Sequence, residues 1–244
     1  MNIKRIIAFL LLLSSLLPAM SIDFNGDVKK LIAHRGLWYK GNPQNSKVGI
    51  REALQSDLGG YECDIRETAD GFLILNHDAE IGDIIIDKAD LKDLQNANPE
   101  ILPLLSDILL LQQQYPDKVM YAEIKSGNTI KILEEFKNYG ISKNVIFKSF
   151  DKEICDSLIT STEIPVYLLS ADSNLDFADL KQKGFSGVSL MFVEGKTSRE
   201  LIDQIHSKGL KVAFWTVNDP GTAELLLEWG ADHIVSDLPF YIGN

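Results

Sequence analysis

Three carboxylates and two histidines are the residues in this chain whose types and spacing suit chemistry. Glu62 and Asp64 lie two apart in an apolar run, so on a strand they share one face while Cys63 takes the other. Glu123 and Lys125 repeat that spacing further on, with Ala122 and Ile124 opposite. Three carboxylates meeting in a low dielectric repel one another unless neutralised. A hard divalent cation does so with oxygen ligands, which points to Mg²⁺ or Ca²⁺ rather than zinc. The other way to balance them is a set of ion pairs with Lys125 and Arg35. Asp70-Gly71 is a two-residue hairpin signal. Pairing across such a loop sets Glu67 against Ile74 and Asp64 against His77, with Cβ atoms roughly 5 Å apart. His34 ends the preceding apolar run, and two imidazoles beside such a cluster suit general acid–base work near neutral pH. His206, late in a helical stretch, and His233, opening the last strand, lack that setting and read as structural.

The elements that must position these groups alternate along the chain. Apolar runs at 31–33, 61–65, 119–124, 145–150, 166–169, 187–192, 212–217 and 233–235 are separated by helix-like stretches such as 130–139, 151–159, 199–208 and 222–229. Asp151 and Ser198 suit helix N-caps, and Gly140, Gly209 and Gly230 sit where a helix-terminating glycine belongs. Strand–helix alternation predicts parallel pairing. Eight repeats fit a closed (β/α)₈ barrel or an open doubly wound sheet. Where the polar residues fall decides between them. His34-Arg35, Glu62 and Asp64, Glu123 and Lys125, Ser149, Trp215-Thr216 and Asp237 all fall at or near strand carboxyl ends, which converge on one face only in a barrel. The predicted fold is an α/β TIM barrel with a short hairpin and loop excursion after strand two.

Composition bounds the rest. The chain has 244 residues, 45% hydrophobic and 24% charged, which is globular usage and long enough for one barrel domain. A formal net charge of −11 repels phosphate backbones and argues against nucleic-acid partners. Residues 1–21 combine Lys4-Arg5, a twelve-residue apolar run and small residues near a cut, the pattern of a secretory signal peptide. The run is short of the roughly 20 residues a membrane span needs. The expectation is an exported protein, periplasmic or extracellular, whose single domain fills 22–244 with no stable membrane insertion once the leader is cut. Cys63 and Cys155 fall on elements too far apart to bridge, so both are expected to be free and buried.

Taken together, these residues resemble the glycerophosphodiester phosphodiesterase family of PLC-like TIM-barrel enzymes. The likeness is carried by AHRG at 33–36, NPQNS at 42–46, YECDIRETADGFLILNHD at 61–78, AEIK at 122–125, KSFD at 148–151, WTVND at 215–219 and GADHIVSDLP at 230–239. It implies that Glu62, Asp64 and Glu123 bind Mg²⁺ or Ca²⁺, that His34 and His77 form the catalytic pair, and that Arg35 and Lys125 hold phosphate. Trp215 would wall the substrate pocket and Asn45 would hold the loop after His34. The implied reaction cleaves a small glycerophosphodiester to glycerol 3-phosphate and an alcohol. The glycerol's own 2-hydroxyl attacks, and water opens the cyclic phosphate that results. Two departures stand out: Gln44 occupies a position where the family usually has Glu, and 79–105 lacks the family's Arg-Thr-Thr pattern. Competing readings are a phospholipase-type barrel of the sphingomyelinase D kind, which needs an apolar interfacial surface, and a secreted phosphodiester-binding protein, which needs no proton shuttle.

Overall fold

The structure is a computed structural model that describes residues 24–39, 41–97 and 102–239. The expected leader at 1–21 lies outside the described residues. Eight parallel strands close into a barrel: β1 (Leu31–Ala33), β2 (Gly60–Glu67), then β6 (Val119–Ile124), β7 (Val145–Ser149), β8 (Val166–Ser170), β9 (Gly187–Met191), β10 (Lys211–Trp215) and β11 (His233–Ser236). Closure comes from β1, which pairs with β11 on one side and β2 on the other, through Ala33↔Ser236 and Ala33↔Tyr61. These are the eight expected strands, with ends moved by a residue or two.

Parity along the strands sorts the side chains into two layers. One set faces the barrel interior, where Ile32, Tyr121, Ile146, Tyr167, Ala213 and Val235 pack together. The other set, including Leu31, Cys63, Ala122 and Phe147, packs against the outer helices in the main core. Each fully buried aliphatic there contributes roughly 1.5–3 kcal/mol. That outer ring comprises α1 (Lys47–Gln55), α3 (Leu105–Gln112), α4 (Thr129–Asn138), α5 (Lys152–Ser161), α6 (Phe177–Gln182), α7 (Arg199–Ser207) and α8 (Pro220–Glu228), a further helix, α2 (Leu91–Ala97), belonging to the excursion after β2. Asp151 and Ser198 do cap α5 and α7, accepting from Glu153 N and Leu201 N. Both cysteines are free and buried. No helix among the described residues is long and apolar enough to cross a membrane.

The excursion is larger than a hairpin. β3 (Leu73–Leu75) runs antiparallel to β2, then β4 (Glu80–Ile81) and β5 (Ile84–Ile85) form a separate two-stranded sheet before α2. Ile74, Ile81, Ile86, Leu91, Leu94 and Leu102 give this insertion its own small core.

The hairpin register differs from the expected one by a single residue. Arg66 pairs with Ile74 and Glu67 with Leu73, and Asn76 N donates to Asp64 O, so Asp64 stands across from Asn76 rather than His77. The loop holds three residues, Ala69-Asp70-Gly71, because Thr68 pairs with Phe72 through a backbone bond. Gly71 takes φ 85°, the left-handed position that closes a three-residue loop and that a side chain would resist. Thr68 Oγ1 fixes this geometry by donating to Asp70 Oδ1 at 2.6 Å and accepting from Phe72 N at 2.9 Å.

Candidate active site at the strand carboxyl ends

Parity on β2 and β6 aims Glu62, Asp64 and Glu123 into the barrel above the apolar interior layer, and the register sets Asp64 directly beside Glu123. The three are buried, and one oxygen from each lies within 4.8 Å of the others. Cations surround them. Lys125 Nζ sits 2.6 Å from Glu123 Oε1 and 3.3 Å from Asp64 Oδ1. Lys148 Nζ sits 3.1 Å from Glu62 Oε1 and 3.5 Å from Glu123 Oε2. Arg35 Nε is 3.4 Å from Asp64 Oδ2. The ion-pair balance is therefore present in the fold. Burial pushes the Asp64 carboxyl up, but Lys125, the Asn45 amide and Arg35 outweigh it and hold the group below its usual value. Burial likewise works against the Lys148 ammonium, yet Glu62, Glu123 and Asp64 raise its pKa overall.

The loop after β1 is shaped around these carboxylates. Arg35 and Asn45 adopt φ of 55° and 58°, a region that costs a non-glycine residue roughly 1–2 kcal/mol and is best tolerated by Asn. The conformation turns Arg35 N toward Glu62 Oε2 at 3.1 Å. Buried Asn45 binds Asp64 twice, donating from Nδ2 to Oδ2 at 2.9 Å and accepting from Asp64 N at 3.0 Å. Gln44 Oε1 accepts from Arg35 Nη1, steering the guanidinium without adding charge.

Both histidines reach the same cavity. His34 Nδ1 lies 2.6 Å from Asp237 Oδ1, and its Nε2 is 3.9 Å from Glu62 Oε2. Asn218 Nδ2 donates to Asp237 Oδ2 at 3.0 Å, and Asn218 Oδ1 accepts from Asp237 N at 2.9 Å, fixing the carboxylate. His77 arrives by another route than the expected pairing: Arg66 Nε and Nη2 grip its carbonyl at 3.1 and 2.7 Å, and its Nδ1 meets Asp78 Oδ1 at 2.8 Å. The cavity, about 90 Å³, is lined by His34, Arg35, His77, Glu123, Lys125, Lys148, Phe150, Leu169, Trp215 and Thr216. Trp215 is held by Nε1 donating to Ser189 O at 3.0 Å and by an edge contact with Phe150 at 5.7 Å. A larger groove of about 590 Å³, lined by α4 and the segments that follow α4 and α5, carries Glu134, Lys137 and Glu163 but no histidine.

All eight residues singled out by the sequence thus meet at one end of the barrel. Two others were missed. Lys148 had a signal, a lysine two positions past Ile146 in an otherwise apolar run, but its partners depend on a β6–β7 register that places it beside Glu123. Asp237 was placed at the right end, and its pairing with His34 follows from closure of the first strand on the last. His206 and His233 stay outside the site.

An all-oxygen trio suits a hard cation. Buried Glu62 Oε1 and Asp64 Oδ1 accept no well-aligned hydrogen bond and are met only by the ammonium groups of Lys148 at 3.1 Å and Lys125 at 3.3 Å, so a cation is what already occupies their vicinity. These residues fit a divalent ion.

A model of the glycerophosphoryl diester phosphodiesterase family matches residues 34–240. A glycerophosphodiester phosphodiesterase of Bacillus altitudinis is 25% identical over 86% of this chain and 95% of its own length. Among solved structures, a glycerophosphodiester phosphodiesterase from Parabacteroides distasonis superposes with TM-score 0.79 at 27% identity, over 88% of this chain and 95% of that one. An Oleispira antarctica phosphodiesterase in complex with the product sn-glycerol-3-phosphate superposes with TM-score 0.76 at 22% identity, over 86% and 94%.

Proposed function

Because the chain belongs to the glycerophosphoryl diester phosphodiesterase family, we propose that it hydrolyses glycerophosphodiesters to glycerol 3-phosphate and an alcohol, using Mg²⁺ or Ca²⁺ and the histidines His34 and His77. The observation that carries this reading is a cavity lined by both imidazoles, Arg35, Lys125 and Glu123, with Glu62 and Asp64 buried beside Glu123. The solved relative that holds sn-glycerol-3-phosphate shares the fold and supports the product side.

The carboxylates of Glu62, Asp64 and Glu123 would hold the ion, which when bound supplies positive charge where the phosphoryl oxygens gain negative charge. Arg35 and Lys125 line the same cavity and bind the diester's phosphate from the protein side. Each imidazole has a carboxylate opposite Nδ1, which favours the Nδ1–H tautomer and leaves Nε2 as the nitrogen that exchanges protons. One histidine takes the proton of the attacking 2-hydroxyl of glycerol, and the other protonates the departing alcohol. Because that hydroxyl is part of the substrate, attack needs no protein nucleophile. The cyclic phosphate then opens to water with the proton roles reversed. Trp215 and Phe150 form an aromatic side of the cavity against which the substrate packs.

The leader-like residues 1–21 support export, with the acidic domain acting outside the cytoplasm on a small diester rather than on nucleic acid. N-terminal sequencing of the protein recovered from its source would read a start near residue 22 if the leader is cut, and a start at Met1 would overturn export by that route. The activity is tested by supplying Mg²⁺ or Ca²⁺ and assaying glycerol 3-phosphate release from glycerophosphocholine, -ethanolamine, -glycerol and -inositol. Release from at least one, abolished by excess chelator, is expected. No release from any sinks the reading, and full activity in chelator sinks its metal component.

A further inference from the structure

The three carboxylates face three cations, Arg35, Lys125 and Lys148, and the cations are not equivalent. Lys125 is 14% exposed at the cavity, on a flexible stem that can swing its ammonium away. Arg35 lies against Asp64 at 3.4 Å with its side chain 17% exposed. Lys148 is only 2% exposed, and its ammonium is placed between Glu62 and Glu123. An incoming divalent ion can displace Lys125 from the oxygens it needs, whereas Lys148, which borders the cavity at only 2% exposure, is held between Glu62 and Glu123 and stays.

We propose that Lys148 is a permanent internal cation of the carboxylate site, keeping the ion-free site neutral and folded while holding its affinity for divalent ions well below what Glu62, Asp64 and Glu123 alone would give. The inference rests on the metal reading above. Its physics is like-charge repulsion in a poorly screened interior: the ion and the ammonium share Glu62 and Glu123, so each weakens the other's hold. The converse holds without the ion. Removing the ammonium leaves buried Glu62 Oε1 with no ion-pair partner and Glu123 with Lys125 alone, a penalty that metal binding would then relieve.

The test replaces Lys148 with the similarly long, uncharged Met (K148M) and with Gln (K148Q), each purified as the full chain with Ca²⁺ and then dialysed. Isothermal titration with Mg²⁺ and with Ca²⁺ should show affinity at least about ten-fold tighter than wild type in either variant. Melting in chelator should drop in the variants and rise on adding the ion by more than it does in wild type. Wild type should melt within about 3 °C with and without the ion, since its internal cation already balances the site. If wild type binds the ion and the variants bind it no tighter, the proposal is overturned while the metal reading stands. If wild type takes no ion but a variant does, the proposal is supported. If none of the three takes an ion, both fail. Should neither variant fold, the wild-type melting comparison decides: a large loss of stability in chelator would overturn the proposal.

Discussion

Both ends of the barrel hold histidines, carboxylates and lysines, and only one end is built for chemistry. At the amino-terminal end, Asp232 spends both oxygens: Oδ1 on Lys211 at 2.7 Å, Oδ2 on Val212 N at 2.9 Å and on His206 at 3.0 Å. His233 sits beneath, 2.9 Å from the Tyr121 hydroxyl and edge-on to its ring. At the carboxyl-terminal mouth, Glu62 Oε1 and Asp64 Oδ1 have only loose ammonium neighbours, at 3.1 and 3.3 Å with no aligned hydrogen bond, and the two histidines border an open cavity. Residue type does not separate the two clusters. What separates them is access, together with how tightly the carboxylates are held, because a polar group saturated by well-aligned hydrogen bonds has nothing left to offer a ligand.

The sharpest way to break this contrast is to remove a histidine from the mouth. His34→Ala and His77→Ala should each lower kcat for a glycerophosphodiester by roughly 10²–10⁴-fold, the usual worth of a general acid or base, while titrated metal binding survives. Wild-type turnover in either variant would place that imidazole among the structural ones.

The next largest effect belongs to the other end and appears in stability. Burial pushes the His233 pKa down from 6.5 to about 4, with Lys30 and Lys211 adding to the fall and Asp232 opposing it. Between those values the unfolded chain binds a proton that the folded chain refuses, so stability is full above about pH 6.5 and declines as pH falls toward 4. The full loss is on the order of 3 kcal/mol, since each tenfold change in proton affinity is worth about 1.4 kcal/mol. The depressed carboxylates Asp64, Asp232 and Asp237 titrate below that window, and Glu67 and Glu200, lowered from 4.5, enter only at its foot, so at pH 5 histidine dominates. Urea unfolding at pH 7 and pH 5 should show the decline in wild type and a clearly flatter one in His233→Gln. Equal slopes would remove His233 as the cause.

The fates of these residues also show what a sequence makes legible. The eight strands were readable because barrel strands are covered on both faces and stand out as short apolar runs. The inward aim of Glu62, Asp64 and Glu123 followed from parity alone, which no loop can alter. His77 was different: its expected place depended on loop length, and Asp70-Gly71 serves a two-residue or a three-residue loop equally well. The Thr68 hydroxyl selects the longer loop, slips the register by one, and leaves Arg66 to bring His77 to the cavity. The lysine at 148 is visible in its apolar run, but its partners are hidden for a related reason, since parallel register is set by packing around the whole barrel. The small core of the insertion, from Ile74 to Leu102, was likewise hidden in a stretch whose apolar residues follow no single period.

A smaller effect tests the aromatic side of the mouth. Trp215 makes one hydrogen bond and one ring contact, packs in part against the interior apolar layer, and lines the cavity. Trp215→Leu should raise KM about ten-fold, equivalent to about 1.4 kcal/mol, and leave kcat within about two-fold, the signature of binding lost equally from ground and transition states. A fall in kcat with KM unchanged would instead give the ring a role in orienting the reacting groups.

The smallest effect expected is the one that completes the contrast. His206 lies in the last turn of α7, half-buried, with Nε2 3.0 Å from Asp232 Oδ2. Removing it by His206→Gln takes away one of several partners of that carboxylate, and Lys211 and the Val212 amide remain. A partly exposed pair of this kind is worth between 0 and about 1 kcal/mol, so unfolding free energy should fall by about 0.5 kcal/mol and turnover should match wild type. The same kind of change at His34, whose Asp237 partner is likewise shared with a neighbouring side chain, is expected to cost orders of magnitude in rate. Near-identical local bonding with opposite consequences would show that the imidazole's function lies in the nitrogen its carboxylate leaves free. A large activity loss in His206→Gln would mean instead that the two ends of the barrel are coupled through α7 and β10, and that reading them as independent is wrong.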